Sequence, residues 1–149
     1  MNHVECAREN FLKGYNCAQS VAIAFAAEMG KSEEEVARLA SSFGGGMGKL
    51  REVCGAVSGA LLVYGALRGY SDPTDGEAKK RQYAQVQDFA ARFKAEHETI
   101  ICRVLLKNIA LKKEGTSEPE ERTPEYYRTR PCARFVETAA RILEDMLAE

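Results

Sequence analysis

Cysteines are the residues of this sequence whose side chains are best suited to chemistry. The chain has five of them: Cys6, Cys17, Cys54, Cys102 and Cys132. Thiolates act as nucleophiles, form disulfides and bind soft metal ions. Five cysteines in 149 residues are too few for a disulfide scaffold, and an odd number is typical of a reducing compartment. We therefore predict a cytoplasmic protein whose thiols are free for redox or metal chemistry.

Three of the cysteines lie in the first turn of a predicted helix. They are Cys17 after Asn16, Cys102 three residues after Thr99, and Cys132 after Pro131. Cys54 is expected one turn inside its helix. The helix dipole stabilises a thiolate there by only about 0.3–2 kcal/mol, so full deprotonation needs a metal or a cation close by. Candidate cations are Lys49 and Arg51 near Cys54, and Arg128, Arg130 and Arg134 around Cys132.

The spacing of these four cysteines identifies no metal. Intervals of 37, 48 and 30 residues differ from the short pairs of zinc ribbons and from the cysteine runs of bacterial ferredoxins. Gly55 and Gly59, directly after Cys54, share one face of the predicted helix and allow a neighbouring backbone to approach. This spacing predicts that another helix N-terminus packs close to Cys54.

Other common sites are excluded by inspection. The stretch GGGMGKL, residues 44–50, lacks the residues of a phosphate-binding loop, and we interpret it as a tight turn before a buried helix. His3 and His97 have no second ligand type at short spacing and are expected to be solvated. No serine or cysteine elbow supports nucleophilic hydrolysis.

The elements that must position the cysteines are predicted to be helices. Apolar residues recur at spacings of three and four, and no stretch alternates as a strand does. The predicted helices cover residues 2–13, 17–29, 32–43, 49–67, 74–96, a short helix from 99, and 131–147. Residues 111–131 are expected to form a loop or a lid. The fold class is therefore all-α, an irregular bundle of six or seven helices around a central buried helix.

Composition narrows the class of protein further. With 45% hydrophobic and 29% charged residues, residues 1–149 are expected to form one globular domain. The net charge of -1 leaves no basic surplus for nucleic acid. The uncharged run 53–67 has 15 residues, whereas a bilayer span needs about 20. The first residues lack the apolar run of a signal peptide, which also favours the cytoplasm.

At this point a family resemblance is visible in the cysteine-bearing blocks. They are GYNCAQSVAIAF around Cys17, FGGGMGKLREVCGAVSGALLVYG through Cys54, ICRVLL at Cys102, and the late Cys132. Over nearly its whole length the chain resembles the C_GCAxxG_C_C family of redox-active proteins, although C-G-A-V-S-G meets the named motif only loosely. The family's four characteristic cysteines correspond to these four, and Cys6 lies outside the pattern.

The resemblance implies a cofactor. A similar domain in a split-Soret type cytochrome is associated with an iron–sulfur centre, which makes a small iron–sulfur cluster, [2Fe–2S], the leading candidate. Two alternatives stay open. One is a metal-free thiol–disulfide protein that pairs Cys17 with Cys54 or Cys102 with Cys132, and the other is a helical adaptor that binds zinc or no metal.

Cys6 is expected to be an accessory thiol. In one continuous helix, Cys6 and Cys17, eleven positions apart, would be separated by about 16.5 Å, too far to share a cluster or a disulfide. A redox protein is the expected partner, with no role for nucleic acid or a membrane span. Enzyme activity, a small-molecule substrate and homo-oligomerisation stay open.

Overall fold

The computed structural model describes residues 1–149, and its named elements are all helices, which confirms the all-α prediction. Its segments are α1 His3–Leu12, α2 Cys17–Ile23, α3 Glu33–Ala40, a 3₁₀ turn Ser41–Phe43, α4 Gly44–Met47, α5 Gly55–Arg68, α6 Gly76–His97, α7 Cys102–Leu105, α8 Pro124–Thr129 and α9 Cys132–Ala148. The longer helices were predicted. The single turns α4 and α7 and the short α8 bring the total above six or seven.

Helix α5 forms the centre of the bundle, as predicted. It packs against α2 on one side and α9 on another, while α1 lies against both α2 and α9. Val57 and Val63 of α5 are completely buried, as are Val136 and Leu143 of α9. Most of α5 is buried because its neighbours remove its apolar surface from water, whereas its last turn, residues 65–68, is largely exposed. No helix of the structure combines the length and the apolar character that crossing a bilayer requires.

Helix α5 begins later than predicted. Met47, Lys49 and Arg51 have φ angles of 72°, 67° and 61°, and a right-handed helix cannot pass through left-handed residues. The helix therefore begins at Gly55, and Cys54 is its N-cap residue. The placement of Cys54 one turn inside the helix was wrong.

The glycine turn before α5 is confirmed. Gly45, Gly46 and Gly48 all adopt left-handed conformations that glycine allows without strain. A Cβ atom on Gly46 would lie 2.7 Å from Cβ of Cys102. The turn can therefore approach α7 only because glycine has no side chain.

A short backbone bridge joins the segments before α5 and α7. Val53 and Ile101 form an isolated antiparallel bridge, and the amide of Cys54 donates to the carbonyl of Ile100 at 2.7 Å. A short helix was predicted to begin at Thr99, but the N-cap residue of α7 is Ile101. The Thr99 hydroxyl instead accepts from the Ile101 amide.

Two other helices differ from expectation. Helix α2 ends at Ile23, and the residues up to Gly30 form turns rather than a helical extension. The apolar spacing within residues 74–96 predicts that Tyr83, Phe89 and Phe93 all face inward; in α6, Phe89 and Phe93 are buried, but Tyr83 is 54% exposed. The first half of α6 extends past the bundle, so its periodic apolar residues have little to pack against.

The prediction that both histidines are solvated was wrong. His3 stacks on Phe25 and bonds through Nδ1 to Glu144 at 2.9 Å and through Nε2 to Glu28 at 2.7 Å. Burial opposes its charge, but the two carboxylates together raise the pKa of His3. Both carboxylates come from distant parts of the chain, so local spacing could not indicate them.

His97 is also held by side chains remote in sequence. Its Nε2 lies 2.9 Å from the Thr138 hydroxyl, and its ring packs between Phe93 and Phe135. Burial lowers its pKa, so the ring is neutral near pH 7. Both histidines therefore stabilise the packing of helices onto α9.

Candidate functional site

Four of the five cysteines line one small cavity inside the bundle. They are Cys17, Cys54, Cys102 and Cys132, and the cavity has a volume of about 60 Å³. Organic ligand pockets are several times larger, at about 300–1,000 Å³. The cavity can therefore take an inorganic centre or a reacting group, but not an organic cofactor.

Each of these cysteines stands at a helix N-terminus. Cys17, Cys102 and Cys132 are the first residues of α2, α7 and α9, and Cys54 caps α5. Unpaired amide N–H groups at such ends favour negative charge on sulfur. Four helix ends thus direct positive potential toward the cavity.

Asn16 determines where α2 begins. Its Oδ1 accepts from the Gln19 amide at 2.8 Å, and the Gln19 side chain accepts from the Asn16 amide at 3.1 Å, completing a capping box. Its Nδ2 also donates to the Ser41 carbonyl at 3.1 Å. Asn16 therefore holds Cys17 at the wall of the cavity, which it also lines itself.

Gly55 and Gly59 bring the backbone of α2 against α5. A Cβ on Gly59 would lie 2.4 Å from the Ala18 carbonyl oxygen, and one on Gly55 would lie 3.3 Å from Cβ of Cys17. Both distances are shorter than ordinary van der Waals contact. The N-terminus that the sequence predicted beside Cys54 is thus that of α2.

Cys17 and Cys132 both line the cavity, and their thiols shift each other's pKa. The interaction with Cys17, together with Arg130, lowers the pKa of Cys132 to about 7, although burial acts in the opposite direction. The same interaction, reinforced by burial, raises the pKa of Cys17. Cys132 is therefore the thiol of this pair that loses its proton first as the pH rises.

Cys54 and Cys102 remain protonated when no metal is bound. Burial raises the pKa of Cys54 to about 12 against the opposing amides of Ala56 and Val57. Burial also raises the pKa of Cys102, although Arg51 opposes it by donating to Sγ at 3.8 Å. A thiolate at either position needs an added positive charge.

Arg51 contacts a different cysteine from the one expected. It reaches Cys102 rather than Cys54 and forms a two-pronged ion pair with Glu114, at 3.1 and 3.0 Å. Its guanidinium is almost completely buried. Lys49 does not line the thiol cavity and instead donates to the carbonyls of Lys113 and Glu118.

The segment 111–131 closes one side of the cavity. It was predicted to be a loop or a lid, and part of it is helical, since Thr123 caps α8 and Pro124 occupies the first helical position. Arg122, Tyr126 and Arg130 line the thiol cavity. Sequence reasoning had not singled out Arg122 or Tyr126, although the arginine- and tyrosine-rich run 122–130 was a visible signal.

The remaining candidates lie elsewhere. Arg128 and Arg134 are exposed and do not line the cavity. Cys6 lies on α1, outside the cavity, where its sulfur accepts from the Asn10 side chain at 3.9 Å.

No group of three or more His, Cys, Asp or Glu side chains converges tightly enough in this structure to hold a metal ion.

Comparison with known proteins defines the class of this helical, four-cysteine protein. A family model with the description "Putative redox-active protein (C_GCAxxG_C_C)" matches residues 15–146. The chain therefore belongs to the C_GCAxxG_C_C family, as its cysteine blocks had suggested. No curated protein and no solved structure matches it.

Proposed function

We propose that the protein transfers electrons by means of a [2Fe–2S] cluster held by Cys17, Cys54, Cys102 and Cys132. One observation carries the proposal: four regions far apart in the chain each deliver a cysteine, at a helix N-terminus, to the same cavity. Buried cysteines that merely filled space would have no reason to converge in this way.

The donor set and the size of the cavity fit such a cluster. Cysteine sulfurs are the usual ligands of iron–sulfur clusters, and a cluster with four cysteines places two on each iron. Such a cluster therefore needs only two cysteines near each iron, whereas a single metal ion needs three or more ligands around one point. Cys17 and Cys132, already in contact, would form one pair, and Cys54 and Cys102, joined through the backbone bridge, the other.

The surroundings fit the negative charge that four thiolate ligands would bring. Arg51, Arg122 and Arg130 line the cavity together with the four helix ends. A bound cluster would supply one-electron chemistry. The positive groups around it would lower the free energy of its reduced form, which carries more negative charge. The buried helices around it exclude bulk water.

Anaerobic purification followed by iron and sulfide analysis tests the proposal. We expect iron, acid-labile sulfide and visible absorbance in the wild-type protein and in Cys6→Ser, the matched control. Cys54→Ser should lose the cluster and retain the helical circular-dichroism spectrum. Wild-type protein that stays colourless and iron-free after reconstitution, or Cys54→Ser with full iron content, would refute it; zinc in place of iron would favour the adaptor alternative.

A second candidate function follows from the interaction between the free thiols of Cys17 and Cys132. These two thiols could form a disulfide by giving up two protons and two electrons to an oxidising disulfide, with the Cys132 thiolate as nucleophile. This pair differs from the two that the sequence suggested. Mild oxidation of metal-free protein with a small disulfide should link the peptides of Cys17 and Cys132; a different pairing, or none, would eliminate this function.

A further inference from the structure

A second cleft adjoins the thiol cavity. It has a volume of about 430 Å³ and lies between the glycine turn and the segment 117–122. Arg51, Arg122 and Arg130 line both the cleft and the thiol cavity, so the two spaces share a wall. Unlike the thiol cavity, the cleft falls within the size range of sites for small organic molecules.

The lining of the cleft carries an excess of positive charge. Its charged residues are Lys49, Arg51, Arg122, Arg130 and Glu120. Glu120 pairs with Arg130, and Arg51 pairs with Glu114 from outside the lining. Two cations are left without a carboxylate.

These two cations are Lys49 and Arg122, and neither forms a salt bridge. Lys49 donates to the carbonyls of Lys113 and Glu118, and Arg122 donates to those of Phe11 and Tyr15, each at 3.0 Å. Carbonyl acceptors fix the positions of the side chains but do not neutralise their charge. A concave surface bearing two uncompensated cations concentrates anions.

We propose that this cleft binds a small organic dianion, a phosphate ester or a dicarboxylate. Both classes offer two negative charges to the two unpaired cations. The planar guanidinium of Arg122 and the ammonium of Lys49 can each bind either kind of oxyanion. Asn16 adds an amide at the boundary with the thiol cavity. The proposal concerns binding alone and does not rest on the proposed function.

Calorimetric titration of the anaerobically purified full-length protein tests the binding. Glycerol phosphate represents the phosphate esters, succinate the dicarboxylates, and glycerol is the neutral control. We expect one of the two anions to bind, and the tighter one identifies the class. Binding of neither anion, or binding of glycerol as tight as that of the anions, would overturn the proposal.

Variants locate the binding. Lys49→Gln should weaken it by about tenfold or more, because a charged hydrogen bond is lost, whereas Lys49→Arg should retain it. The matched control is Lys80→Gln, since Lys80 is an exposed lysine on α6. Unchanged binding by Lys49→Gln, or equal losses in Lys49→Gln and Lys49→Arg, would place the anion elsewhere and overturn the proposal.

The iron content of the same wild-type sample separates the two proposals. Anion binding to wild-type protein that stays iron-free would support the cleft and refute only the cluster. A protein that holds iron but binds no anion would refute the cleft and leave the cluster intact.

Discussion

Replacing Gly59 by alanine tests whether the contact between α2 and α5 positions the thiols. The added Cβ would lie 2.4 Å from the carbonyl oxygen of Ala18 and 2.9 Å from the Cα atom of Ala18. Both atoms belong to backbone and cannot rotate away as a flexible side chain could. Helix α2 must therefore shift, and Cys17, one residue before Ala18, must shift with it.

The expected magnitude combines two opposing effects. Alanine is favoured over glycine inside a helix by about 0.8–1 kcal/mol, whereas overpacking a core costs about 1–3 kcal/mol and sometimes more. We expect Gly59→Ala to lower the free energy of unfolding by about 1–2 kcal/mol. Gly65→Ala is the matched control on the same helix, because a Cβ there meets nothing within 4 Å; it should gain up to about 1 kcal/mol.

Urea unfolding and thermal melting measure the difference. At about 2–4 °C per kcal/mol for a chain of this size, the melting temperatures of the two variants should differ by roughly 2–12 °C. Gly59→Ala should also lose iron in the reconstitution assay, while Gly65→Ala should not. Equal stability of the two variants would show that the close contact is not energetically important, and the reasoning about helix approach would fail.

Three further predictions follow from single contacts. In reduced, metal-free protein, thiolate absorbance should rise near pH 7, the pKa of Cys132, and Arg130→Gln should move this step to higher pH because a cation is lost; an unmoved step would contradict the charge assignment. Asn16→Ala should cost about 0.5–2 kcal/mol in urea unfolding, whereas Asn16→Asp, which can still cap, should cost less, and equal losses would argue against capping. The raised pKa of His3 means that its stabilisation is complete below its unfolded pKa near 6.5 and is lost as pH rises through the folded value. His3→Gln should therefore destabilise the protein more in mildly acidic than in alkaline buffer, and a loss independent of pH would contradict this linkage.

Much of the helical architecture could be predicted from local pattern. Helices were predicted from residues 17 and 32, and α2 and α3 begin there or one residue later, where the side chains of Asn16 and Ser32 each accept a backbone amide as N-caps. The central helix was predicted from an uncharged run too short for a membrane. Such features depend on residues a few positions apart, so periodicity and capping rules reach them.

The prediction failed where tertiary contacts override local preference. Lys49 and Arg51 adopt left-handed conformations that their residue types disfavour, and this moved the start of α5 to Gly55. Their side chains are held by the segment that follows α7, through bonds to Lys113 and Glu114. A rule based on neighbouring residues cannot include partners more than sixty positions away.

The sequence alone determined which residues are the candidates for chemistry: four cysteines near helix starts, and the glycines that let two helices touch. Tertiary structure alone decided that the four cysteines line one cavity, that Arg51 donates to Cys102, and that Arg122 lines the same cavity. The reason is physical. Residue type and local spacing govern backbone conformation and thiol chemistry, whereas the pairing of side chains depends on how buried helices pack, and packing is a property of the whole chain.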